Sequence, residues 1–275
     1  MYAQETTWEA SSQVYNFDMG FSYSQDDELD FDVSDYVGLA KNYALLIGAQ
    51  DYNDPAINDL ANPIKDCNRL QDALVSYYTF EAENVTVLRN AKKSEIINSL
   101  EELSKKITSQ DNLLIFYAGH GDWDEQLEIG YWLPVDSKKT DRSTYFPNSV
   151  LRDYIKGIKS RHTLLIADAC FSGGIFKTRS LGPDASVAVE TLYSRKSRKA
   201  MTSGELQEVT DQSTFVDFLI KELRTSKDIY LPAERLYYRI KETVMDNSQN
   251  GQVPQFGEIS QAGNEGGDFI FVRKR

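Results

Sequence analysis

Cysteine and histidine are scarce. The 275-residue chain has two of each: Cys67 and Cys170, His120 and His162. Two cysteines are too few for a disulfide scaffold and suit a reducing, cytoplasmic setting. No apolar run approaches the roughly 20 residues of a membrane-spanning helix. The opening MYAQETTWEASS lacks both the basic start and the apolar stretch of a secretory signal. Positive charge is short as well, and a net charge of −12 argues against non-specific binding to nucleic acid or an anionic membrane.

That deficit is concentrated at one end. Residues 1–40 contain Glu5, Glu9, Asp18, Asp26, Asp27, Glu28, Asp30, Asp32 and Asp35 but no Lys or Arg. The same leader carries Trp8, Tyr15, Phe17, Phe21, Tyr23 and Phe31. Charge alone describes a solvated, partly disordered segment. The aromatics also suit a segment that docks, either on its own domain or on a partner.

Beyond residue 41, short apolar runs alternate with amphipathic stretches. Tyr43–Gly48, Asn84–Leu88, Leu113–Tyr117 and Thr163–Ala167 read as strands, and Tyr131–Leu133 as a shorter one. Pro63 opens a helix whose apolar face is Ile64, Cys67, Leu70, Leu74 and Tyr77. A second helix spans Ser94–Ile107, with Ser94 as N-cap and Ile97, Leu100, Leu103 and Ile107 on one face. A third covers Ser149–Ile158. Residues 171–199 break the pattern with glycines, small residues and a basic cluster, and a loop of that length is functional or disordered. A strand near Lys199–Ser203, helices at Ser213–Arg224 and Pro232–Met245, and a last strand at Asp268–Val272 complete the alternation. Continuous apolar strands separated by helices imply an α/β fold of three αβα layers around a mostly parallel sheet.

In such a sheet, reactive groups gather at the carboxyl ends of strands. Two strands here end in them. LLIFY runs into Ala118-Gly119-His120-Gly121, and TLLIA into Asp168-Ala169-Cys170-Phe171-Ser172-Gly173-Gly174. A cysteine after a strand is by itself more often a small buried hydrophobe, and a histidine between glycines is often a turn residue. Together they are a nucleophile and the imidazole that would convert it to a thiolate. The glycines flanking His120 allow a sharp turn and leave amides facing a ligand.

The stretch D-A-C-F-S-G, with His120 about 50 residues upstream of the cysteine, matches the spacing of the caspase signature. The chain thus resembles prokaryotic caspase-like cysteine peptidases of the caspase and metacaspase group (peptidase C14, clan CD). YAGHG and DACFSGG resemble the two active-site motifs. YALLIGAQDY, PIKDCNRLQDAL, RKAMTSG and GGDFIFV resemble the family in order and position. The resemblance covers residues 41–275 and leaves the 1–40 leader over. It divides the domain into a large-subunit-like part (about 41–176), a loop (about 177–198) and a small-subunit-like part (about 199–275).

The resemblance implies that His120 is the general base, that Cys170 forms the acyl-enzyme, and that the backbone amides of Gly121 and Cys170 hold the oxyanion. His162 is read as structural. Asp168 stands where caspases carry Gln, and Asp66 where metacaspases place an acidic pocket residue. Asp211 resembles a further acidic element. Such carboxylates imply a protein substrate with Arg or Lys at the cut. The metacaspase histidine after the nucleophile is replaced by Phe171, and its calcium-linked acidic pair by Asn148 and Ser149. Asp136 alone makes a poor calcium site, so no cofactor is expected and calcium dependence is doubtful. The acidic run Asp122, Asp124, Glu125 and Glu128 reads as a solvated loop.

Basic residues in the 177–199 loop suggest self-cleavage near Arg195, Lys196 and Arg198, or simply a counterweight to the acidic leader. A bare peptidase implies an activating protein partner and, by family analogy, a role in a bacterial stress or antiviral system. Two other readings stay open: a non-catalytic adaptor docking through the leader, and a hydrolase of small thioesters or amides using the same dyad.

Overall fold

The computed structural model of this chain describes residues 40–169, 175–177, 189–204, 213–248 and 251–275. The acidic leader, Cys170 and Asp211 lie outside the described residues. Five strands run parallel: β1 (Asn42–Gly48), β2 (Val85–Arg89), β3 (Asn112–Ala118), β7 (His162–Asp168) and β9 (Ser197–Thr202). They form a seven-stranded sheet in the order β2-β1-β3-β7-β9-β11-β8, in which β11 (Gln255–Ile259) is antiparallel to both β9 and β8 (Phe176–Lys177). All seven residues of β1, of β3 and of β7 are buried, which is why these segments read as unbroken apolar runs rather than alternating ones.

Each strand feeds two cores. From β1, Tyr43, Leu45 and Ile47 meet α2 (Lys93–Lys106) and α3 (Asn148–Gly157) through Ile96, Leu100, Leu151 and Ile155. Ala44 and Leu46 meet the other layer: α1 (Pro63–Tyr77), α5 (Thr214–Thr225) and α6 (Ala233–Asn247). The result is the expected three-layer αβα fold. A small antiparallel sheet of β4 (Gly121–Asp124), β5 (Ile129–Trp132) and β6 (Phe146–Pro147) adds Trp132 and Phe146 to the first core.

Several local expectations shift. Tyr77 is exposed at the end of α1; Tyr78, one position on, is buried, and its hydroxyl donates to the Leu223 carbonyl at 2.8 Å. Ser94 is not the N-cap of α2. The helix begins after Lys92, whose N–H is taken by the Glu95 carboxylate at 2.7 Å. The C-terminal strand β12 (Ile270–Val272) pairs with β10 (Tyr230–Pro232) in a separate two-stranded ribbon rather than in the main sheet. Asp122 and Asp124 belong to strand β4 rather than a solvated loop. Both carboxylates pair with Arg142, and Asp124 also accepts the N–H groups of Gln126 and Leu127.

The stretch between β7 and β9 contains β8 and a short helix α4 (Val189–Ser194). His162 fixes the end of α4: Nε2 donates to the Tyr193 carbonyl at 3.1 Å, and Nδ1 accepts from the Ser197 hydroxyl at 3.0 Å. Burial lowers its pKa to about 3, so it remains a neutral structural imidazole.

Candidate active site

The strand register sets the end of β3 beside the end of β7. Ala118, the last residue of β3, is the partner of Asp168, the last residue of β7, and the pairing continues as Gly119 N–H donates to the Asp168 carbonyl. His120 follows Ala118 by two positions, as Cys170 follows Asp168 in the sequence.

The His120 backbone is clamped from both sides. Its N–H donates to the Tyr52 hydroxyl at 2.9 Å, and its carbonyl accepts from the Tyr117 hydroxyl at 2.7 Å. Tyr117 is itself stacked on Trp132 at 4.3 Å between ring centroids. The need for Gly119 is steric rather than conformational: a Cβ there would lie 2.7 Å from the Tyr117 hydroxyl and 3.0 Å from Ala49 Cβ. The imidazole Nε2 is 2.8 Å from the Asn58 carbonyl. A carbonyl can only accept, so Nε2 carries the proton, and in the neutral ring the lone pair is on Nδ1. Leu133 N–H donates to the His120 carbonyl, so Gly121 and Trp132 face each other as a non-hydrogen-bonded pair. The Gly121 N–H therefore points away from β5.

Beside this edge lie the acidic residues. Asp66 is buried in the first turn of α1, where the helix dipole also favours it. Burial raises its pKa; Arg69 opposes the rise and the Asp217 charge adds to it. Asp168 is buried, and burial pushes its pKa up to about 6. Hydrogen bonds from Ser203 and Ser213 oppose that shift, while the charges of Asp66 and Asp217 reinforce it. Ser213 is also the N-cap of α5, its oxygen accepting from Val216 N–H. Arg69 Nη1 bridges Asp66 at 2.9 Å and Asp217 at 2.6 Å.

Asn58, Tyr52, Arg69, Asp217, Ser203 and Ser213 escaped the sequence reading. The Ser-x-x-Val start of α5 carried a local signal, as a cap, and Arg69 lies one helical turn from Asp66; the others join the site through contacts distant in sequence. Cys67, the other cysteine, is packed in the second core, and burial pushes its thiol pKa up, opposite to what a nucleophile needs.

A model of the caspase domain (peptidase C14) matches residues 41–262. The chain belongs to this family of cysteine peptidases. Metacaspase-7 of Arabidopsis thaliana is 25% identical over 246 residues, covering 76% of this chain and 58% of the relative. Metacaspase-1 of Eremothecium gossypii is 29% identical over 151 residues, covering 47% of this chain and 31% of the relative. The chain thus spans less than two thirds of the length of these relatives. The crystal structure of caspase-1 from Spodoptera frugiperda superposes with a TM-score of 0.58 at 18% identity, covering 80% of this chain and 87% of that one. That likeness concerns the fold.

The caspase-domain match takes in the positions read as self-cleavage sites, and they are not equivalent. Arg198 is a buried residue of β9, so an exposed cut after it conflicts with the fold. Arg195 and Lys196 form an exposed turn, although the Lys196 carbonyl accepts from both Glu265 and Gly267 N–H. A Cβ on Gly267 would lie 1.9 Å from the Arg195 carbonyl oxygen, so the backbone of this turn is tightly covered although its side chains are exposed. Asp136 caps α2 by accepting Lys93 N–H at 2.9 Å, and Asn148 is a buried neutral amide. No helix among the described residues is long and apolar enough to cross a membrane.

Proposed function

We propose that the chain is an endopeptidase that cleaves protein substrates after Arg or Lys, with Cys170 as nucleophile and His120 as base. One observation carries the reading. An imidazole oriented by the Asn58 carbonyl stands at the carboxyl end of β3, next to the strand that leads into Cys170, with the buried carboxylates of Asp66 and Asp168 alongside. His120 Nδ1 takes the Cys170 proton, and the thiolate attacks the scissile carbonyl carbon. The oxyanion is held by amides of Gly121 and Cys170; such a donor is worth roughly 3 kcal/mol in the transition state. The C–N bond breaks as the imidazolium returns its proton to the leaving amine. Water, deprotonated by His120, then hydrolyses the thioester and restores the thiol. Asp66 and Asp168 receive the cationic side chain before the cut. Self-processing falls to Arg195 or Lys196, whose turn has to leave its cover first.

A fluorogenic library varied at the residue before the cut tests this, with wild type and Cys170→Ala, and with calcium or a chelator. Turnover after Arg or Lys that vanishes in Cys170→Ala and ignores the chelator is expected. Turnover only after Asp would remove Asp66 and Asp168 from the pocket. Absence of turnover on every peptide, with no labelling by a thiol-directed probe, would favour the adaptor reading.

A further inference from the structure

The acidic pocket already contains a guanidinium. Arg69 stands three positions after Asp66 on α1, so the two share a helix face. Its Nη1 is 2.9 Å from Asp66 Oδ1 and reaches across to α5, where Asp217 Oδ1 lies at 2.6 Å. The side chain of Asp66 is only 8% exposed, whereas Arg69 and Asp217 are 31% and 33% exposed. The guanidinium therefore lies at the rim, between a buried acid and solvent. Asp168 is also buried, and the negative charges of Asp66 and Asp217 add to the rise that burial causes in its pKa.

We propose that Arg69 gates this pocket as a resident counter-ion: a substrate cation gains Asp66 only as Arg69 gives it up and retreats onto Asp217. This rests on the reading of Asp66 and Asp168 as the pocket for Arg or Lys. The exchange is like for like. Arg69 meets both carboxylates through Nη1 alone, so a substrate guanidinium, which can offer Asp66 two N–H groups at once, displaces it more readily than an ammonium does, and the gate favours substrate Arg over Lys. Asp217 is the parking place that makes the exchange possible. Asp217 lacks a direct role in the cut; it is a positioning residue that acts through Arg69.

The roles of Arg69 and Asp217 are consequently coupled. Removing the Arg69 charge leaves Asp66 unshared and tightens cation binding. Removing the Asp217 charge throws Arg69 wholly onto Asp66 and weakens it. With Arg69 already gone, removing Asp217 has little left to do. Two charges acting independently would instead give additive effects.

The test is the dissociation constant of 4-aminobenzamidine, an aromatic amidinium, measured calorimetrically on the full chain carrying Cys170→Ala. Arg69→Gln is expected to bind about tenfold tighter, a change of about 1.4 kcal/mol. Asp217→Asn is expected to bind about fivefold weaker, and the double variant to match Arg69→Gln. Unchanged or weaker binding by Arg69→Gln, or an additive double variant, overturns the gate. If Arg69→Gln does not fold, Arg69→Lys serves instead. Its ammonium keeps the charge but is more strongly hydrated and sits on a flexible stem, so it holds Asp66 less firmly; about threefold tightening is expected, and no change overturns the gate. Asp66→Asn separates the two ideas. Loss of binding there with no effect at Arg69 keeps the pocket and discards the gate; amidine binding that ignores Asp66 discards the pocket itself.

Discussion

Arg198 offers a sharp test of how the two halves of the sheet are joined. Its buried guanidinium donates to the carbonyls of Ile155, Ile158, Ser160, Arg161 and Ser197 at 2.7–3.2 Å. It thereby closes the C-terminal end of α3 and ties the turn before β7 to β9, a placement that the helix dipole also favours. Burial lowers its pKa to about 10 from 12.5, so keeping the charge inside costs the fold about 3 kcal/mol. Arg198→Met recovers that cost but leaves five acceptors short of a donor, at about 1–3 kcal/mol for each that water cannot reach. The acceptors win, and a net loss of about 4 kcal/mol is expected, a large share of a typical domain's stability. Arg198→Lys keeps the charge but has one nitrogen for five carbonyls, and loses about half as much. In a Cys170→Ala background, urea unfolding should show the Met variant's midpoint lowered by about 2 M with the slope unchanged. A shift below about 0.5 M would mean that the guanidinium's desolvation cost cancels its hydrogen bonds.

Other perturbations bear on the site. Asp168, with its pKa raised to about 6, loses its charge as pH falls below that value. For Arg substrates, kcat/KM should drop about tenfold between pH 7.5 and 5, with Asp168→Asn low throughout; an unaltered profile in Asp168→Asn would exclude this carboxylate as the titrating group. For stability the sign is opposite. A carboxyl whose folded pKa exceeds its unfolded value favours the fold at low pH and withdraws that support as pH rises through 6. Tyr52→Phe strips the acceptor from the His120 amide; kcat should fall about tenfold with KM little changed, and a purely KM effect would refute the orienting role. Gly119→Ala drives a methyl group into the Tyr117 hydroxyl; a loss of about 2 kcal/mol in thermal or urea unfolding is expected, and wild-type stability would show that the loop yields without cost.

Legibility in the sequence followed the range of the interaction. The strands β1, β3 and β7 announced themselves because a strand buried on both faces must be apolar along its whole length. The order of the layers followed from their alternation with helices. Gly119 was visible as a special position, but its reason was not. It is needed to admit the Tyr117 hydroxyl rather than to turn the chain. Ser94 looked the better cap by residue type, yet the Glu95 carboxylate on Lys92 N–H set the cap of α2 two positions earlier. Arg198 looked like an exposed basic site because composition cannot distinguish a solvated arginine from one that fills a ring of carbonyls.

The sequence alone determined the class of fold, the apolar cores, and the two strand ends that carry His120 and lead into Cys170. These are local properties, set by the run and period of apolar side chains and by the residue that follows each strand. Only the tertiary structure decided that Asn58 orients His120, that Asp217 rather than a nearer acid meets Asp66 through Arg69, and that Arg198 is structural. Arg69 and Asp217 are 148 positions apart, and His120 and Asn58 are 62 apart. No local pattern encodes such pairs, because they form only when the packing of α1 and α5 and the register of the sheet bring their ends to one edge.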